Sequence, residues 1–192
     1  MGLSRPRTYA AVGGGPTLDG LREAPMEPVH VRYVRIETGI SIVLNAVVGA
    51  VFVRLMFGGR STVGLWGTDG LAFDLLPTVF MITLMTTIAL TLITRARVRK
   101  GAVPPMTDMG PRLPRPAPVR ALLLAGAAAL AIVPVSVLAL WAVWTGPWSY
   151  GAVMAFKIAF SALVGLLVTP PILRAALRDG ERVATIRPAA VG

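Results

Sequence analysis

Lys157 interrupts MAFKIAFSALVG (154–165), an apolar run that otherwise suits the interior of a bilayer. An ammonium in that position does one of three things: it pairs with an acid, lines an ion or proton path, or reaches back to the headgroups. The acid at the most compatible depth is Asp74 in LAFDLLPT (71–78). At 1.5 Å of rise per residue, Lys157 lies about 10 Å from the start of its run near Tyr150. That depth allows snorkelling, and it also matches Asp74. Asp74 stands three residues before Pro77, near the start of its own run, where a carboxylate complements a helix N-terminus. Capping is the preferred role for Asp74, and the same carboxylate can serve Lys157 as well.

Four-residue spacing places Lys157, Ser161, Gly165 and Thr169 on one helix face, and Glu37, Ser41, Asn45 and Gly49 on one face of another. In hydrocarbon, small and polar residues collect where helices touch, so a packing seam is preferred over a polar pathway. Glu37 falls about one turn inside the edge of its run and suits an interfacial acid. Asn45 falls near mid-membrane, where its amide needs a partner on another helix. The threonines between Thr78 and Thr94 can bond to the carbonyl a turn earlier, and Met81 and Met85 suit adaptable packing. Ala121, Ala125 and Ala129 form a further small-residue face, and Pro134 predicts a kink.

Other chemistry finds little footing. The chain has no cysteine, which excludes disulfides and thiolate centres, and its single histidine, His30, has no partner at metal-ligand spacing. The glycines at 13–15 and 58–70 lack the context of a phosphate loop, and no nucleophile elbow or zinc-protease helix is present. The expectation is a non-enzymatic protein without cofactor or metal.

The elements that must position these residues are long and apolar. Of 192 residues, 55% are hydrophobic and 15% charged, with a mean hydropathy of +0.70. A soluble domain of this size cannot hide several runs long enough to cross about 30 Å of hydrocarbon. Four spans are predicted, at about 34–57, 71–94, 119–144 and 150–173, with a loop at 95–118, a disordered basic tail at 1–33 and a frayed basic tail at 175–192. VHVRYVR (29–35) reads as an interfacial lead-in, and PRLPRP within the loop as an extended linker. No cleaved signal segment is expected.

The net charge of +10 would suggest nucleic acid in a soluble protein. Here the basic residues gather in the tails and in the central loop, where seven between Arg95 and Arg120 face one acid, Asp108. That distribution follows the positive-inside rule, so nucleic acid is not an expected partner. All four tryptophans, at 66, 141, 144 and 148, fall near the opposite ends of the spans, as an aromatic belt would. The expected fold is an all-α membrane protein, a four-transmembrane-helix antiparallel bundle with both termini cytoplasmic. The short connection TGPWS (145–149) predicts that the third and fourth helices are packed neighbours. The second span ends LITRARVRKG and the fourth PPILRAALRDG, a likeness that charge placement alone can produce.

ETGISIVLNAVVGAVF, LWGTDGLAFDLLPT and TRARVRKG together resemble small, uncharacterised four-span proteins of the bacterial inner membrane that carry a permease-like label. The resemblance covers the first half of the chain. It implies location and fold, and supplies no catalytic or binding residues. The function expected is association in the bilayer with another copy or with a larger membrane protein. The alternative is a small oligomeric permease with a path lined by Glu37, Asn45, Asp74 and Lys157.

Overall fold

The structure, a computed structural model, describes residues 27–106 and 113–185, the last six as backbone only. Most of the N-terminal tail, the centre of the arginine-rich loop with Asp108, and the chain beyond 185 lie outside the described residues. Four helices carry the fold: α1 (Pro28–Phe57), α2 (Leu71–Arg99), α3 (Ala117–Val143) and α4 (Tyr150–Thr185). Each is long and apolar enough to cross a membrane. The shortest, with 27 residues, reaches about 40 Å, more than the hydrocarbon thickness. The chain is an all-α, four-span antiparallel bundle.

Helix ends follow local chemistry. Pro28 opens α1 at its first turn, where a missing N–H costs nothing. At the end of α2, Gly101 takes a left-handed φ of +73°, its N–H bonds to the carbonyl of Val98, and that of Ala102 bonds to Arg97. This double closure satisfies carbonyls that would otherwise be orphaned. At the start of α2, a Cβ on Gly70 would lie 2.6 Å from the carbonyl oxygens of Leu65 and Trp66, so only glycine fits.

The helices extend further than hydropathy suggests. α1 begins at 28, so VHVRYVR forms its first turns, with His30 bonded to the Pro104 carbonyl at 3.1 Å. α2 continues to 99, and α4 runs unbroken through Pro170 and Pro171 to 185. Backbone hydrogen bonding carries a helix past the bilayer edge, whereas hydropathy marks only the lipid-facing part.

Packing order differs from chain order. α1 lies against α4, α4 against α2, and α2 against α3. α3 and α4 are therefore not packed neighbours, contrary to the expectation from TGPWS, because α2 takes the place beside each. The connection 144–149 needs only to reach across, and six residues extended span about 20 Å. Two short strands, β1 (Thr62–Val63) and β2 (Trp148–Ser149), pair antiparallel and tie the two connecting loops together. Leu71, Leu75, Val79, Val153, Val164 and Ile172 fill the interior, and large apolar side chains of α1 and α3 point outward, as lipid-facing helices require.

Candidate functional site

Polar side chains gather at three levels of the bundle. At the level nearest the connecting loops, Lys157 is completely buried, and its Nζ lies 2.5 Å from Oδ2 of Asp74. The same ammonium donates to Oγ1 of Thr78, whose hydroxyl donates to the backbone carbonyl of Asp74 at 2.7 Å. Lys157 thus pairs rather than snorkels. Asp74 makes no capping bond. The carbonyls of Gly64 and Leu65 accept the first N–H groups of α2 instead, each at 3.0 Å, which frees the carboxylate for the lysine. Phe156, the residue before Lys157, belongs to a chain of ring contacts through Trp144, Trp148, Phe156 and Phe160, with centroids 4.8 to 5.7 Å apart.

At the middle level the two four-residue stripes meet along α1 and α4. Thr169 donates to Ser41 at 2.7 Å, and Asn45 donates to the same oxygen at 3.1 Å. Gly165 makes room for Asn45, since a Cβ there would lie 2.7 Å from Nδ2, and Gly49 does the same for Ser161, at 2.4 Å from its Oγ. Each close approach depends on a residue without a side chain. Ala121, Ala125 and Ala129 are buried in α3, the helix that packs on α2.

At the arginine-rich level, Glu37 accepts from Arg97, whose guanidinium lies 5.5 Å from the ring centre of Tyr33, and Tyr33 and Thr94 share a hydrogen bond of 3.0 Å. These contacts join α1 to α2. A second carboxylate, Asp179 of α4, gathers Arg95 of α2 and Arg120 of α3. Arg95 donates to Oδ2 through Nε and Nη2, at 3.0 and 2.6 Å, and Arg120 Nη2 donates to Oδ1 at 2.9 Å. Arg120 Nη1 is 2.8 Å from Oδ2 but off the hydrogen-bond axis, so it contributes charge without a directed bond. The carbonyls of Pro114 and Arg115 accept from the same two guanidiniums.

The structure therefore brings Asp74 together with Lys157, and Ser41 together with Asn45, while Glu37 stands apart from both groups. Arg120 and Asp179 were not expected as site residues. Their signal was the continuation RAALRD (174–179), where Ala175, Ala176 and Leu177 still face the interior. Among the described residues, no three His, Cys, Asp or Glu side chains stand where they could hold a metal ion. Chemically, the three levels provide ion pairing and helix locking, with Lys157, Arg120, Asp74, Asp179 and Glu37, the buried charges, each near an opposite one.

No protein-family model matches the chain, and neither a curated protein nor a solved structure does. Fold and site define a class: a four-span helical bundle whose buried charges are neutralised internally.

Proposed function

We propose that the chain is a non-enzymatic protein of the bacterial inner membrane that acts by packing against a second copy or a larger membrane protein. In this reading both termini and the arginine-rich loop lie in the cytoplasm. The charge distribution supports that orientation, and so do the four tryptophans clustered toward the other end. The observation that carries the association reading is the exposure of α3. This helix packs chiefly on α2, reaching α4 through Arg120 and Asp179, and a Cβ at Gly126 would meet nothing within 4 Å. Leu122, Leu130 and Leu138 flank an open, small-residue surface that a partner backbone can approach closely. The permease alternative has less support, because Glu37, Asn45, Asp74 and Lys157 occupy three separate levels and each except Asn45 is engaged by an opposite charge.

The chain lacks cysteine, so a single Gly126→Cys substitution gives an unambiguous cross-linking probe. Cross-linking in native membranes should yield a dimer or one discrete larger adduct through residue 126. A strictly monomeric protein, with no adduct from that position, refutes the association reading.

A further inference from the structure

At the arginine-rich end, α1 and α4 leave between them an open groove of about 490 Å³. That volume lies within the roughly 300–1,000 Å³ of small-molecule sites. Its walls are apolar, formed by Val31, Val34, Gly39, Ile42, Leu166 and Pro170, and Arg35 and Arg174 stand at its edge. The seam register explains why these two arginines share a level. Ser41 of α1 meets Thr169 of α4, so going six residues back along α1 and five on along antiparallel α4, about 9 and 8 Å, brings the chain to Arg35 and Arg174 at nearly the same level. From Arg35 to Ile42 the groove descends about 10 Å toward the bilayer centre.

Three further features distinguish this groove from an ordinary lipid-facing crease. First, Arg35 and Arg174 are exposed and make no ion pair among the described residues, while the buried arginine and lysine of the bundle do. Second, Thr38, 7% exposed, lines the groove and its Oγ1 has no hydrogen-bond partner. A buried hydroxyl without a partner is costly, and a ligand that accepts from it recovers that cost. Third, Pro170 has no N–H, so the carbonyl of Leu166 on the same wall loses its usual donor. Beside the groove, sharing Val31 and Arg35 with it, lies a second hollow lined also by Pro28, Arg32 and Ile36. The second hollow is nearer the start of α1 and adds another cation.

We propose that the groove binds one anionic phospholipid, with its phosphate between Arg35 and Arg174 and an acyl chain laid along Gly39, Ile42 and Leu166. Arg32 faces the headgroup, and Thr38 donates to an ester carbonyl near the glycerol. A basic pocket between spans at the membrane edge selects an anionic headgroup over a zwitterionic one by charge, while the apolar trench supplies affinity common to both.

The experiment is native mass spectrometry of the full chain in non-ionic detergent. The probes are dioleoyl phosphatidylglycerol, dioleoyl phosphatidylcholine and glycerophosphate. Wild type should retain phosphatidylglycerol in preference to phosphatidylcholine. The pair Arg35→Gln and Arg174→Gln should weaken phosphatidylglycerol binding about 30-fold, some five-fold for each cation, and leave phosphatidylcholine unchanged. Gly39→Leu should displace both lipids. A Cβ at 39 has open space around it, so this variant should keep wild-type helicity and thermal midpoint. Equal retention of the two lipids by wild type overturns the proposal, as does unchanged phosphatidylglycerol binding in either variant. Full competition by glycerophosphate overturns it in favour of an anion site that needs no acyl chain.

Discussion

Removing either member of the Lys157–Asp74 pair should cost far more than removing both. With Nζ and Oδ2 2.5 Å apart, an effective dielectric near 20 gives an attraction of about 7 kcal/mol. Desolvating two ions costs several kcal/mol each, so the pair as a whole comes out near zero. A single substitution cancels the attraction while leaving one desolvated group behind. Lys157→Met and Asp74→Leu should each destabilise by about 3–5 kcal/mol, and the double variant should return to within about 1–2 kcal/mol of wild type. Thr78→Val should cost about 2 kcal/mol, because the ammonium loses an acceptor. The assay is reversible unfolding in mixed micelles, followed by tryptophan fluorescence and helicity. Additive effects, with the double variant at the sum of the singles, would refute the internal-neutralisation argument. A stable double variant also permits a clean proteoliposome flux measurement, since loss of transport there could not be attributed to misfolding.

The other perturbations address the remaining levels. Asp179→Asn strands Arg120, which is 1% exposed, and should cost about 3–5 kcal/mol in the same unfolding assay. Arg120→Met should cost less, because Asp179 keeps Arg95. Gly49→Ala drives a methyl into Ser161 and should cost about 1–3 kcal/mol, with Ser161→Gly restoring the midpoint. Arg97→Gln should destabilise more than Glu37→Gln, since the first leaves a buried carboxylate and the second a half-exposed guanidinium; equal midpoints would contradict this. For the proposed orientation, single cysteines at 68 and 102 should react with an impermeant maleimide on whole cells only at 68.

The four spans could be read from sequence because hydrocarbon thickness acts on each run separately. The facing stripes on α1 and α4 were equally legible, since four-residue spacing fixes a face whatever the partner. Asp74 sits in the first turn of α2, where its charge suits the helix dipole, yet it is free for Lys157 for a specific reason: the first N–H groups are taken by the carbonyls of Gly64 and Leu65, whose approach depends on Gly70 and the β1 turn. Nothing local to Asp74 reveals that. The α3–α4 neighbour expectation failed because a short loop limits how far apart two helix ends lie without dictating what fills the space between them. The Asp179 cluster was hidden by the assumption that α4 ends where its hydropathy falls. A side chain in a frayed tail cannot hold two arginines, whereas one on a continuing helix can.

The packing order has a consequence for what the polar triad does. Exchanging the α1–α2 hairpin with α3–α4 maps the α1–α4 contact onto α3–α2 and returns α2–α4 to itself. The antiparallel pairing of β1 with β2 obeys the same two-fold relation. Aligning LITRARVRKG with PPILRAALRDG at their final glycines sets Thr78 opposite Lys157, and those two side chains touch. Equivalent positions can touch each other only close to the axis that relates them, so the triad lies where the two hairpins meet. Within each hairpin the helices are held apart by a helix of the other, so neither hairpin has a substantial core of its own. Asp74→Leu should therefore part the hairpins before any helix melts, and Trp148, paired through β2 with β1 of the other hairpin and stacked on Trp144, should report it first. The fluorescence of this stacked pair should shift at a denaturant level where helicity is still intact. If the two signals move together, the triad is stabilising the helices individually and does not act as the lock between hairpins.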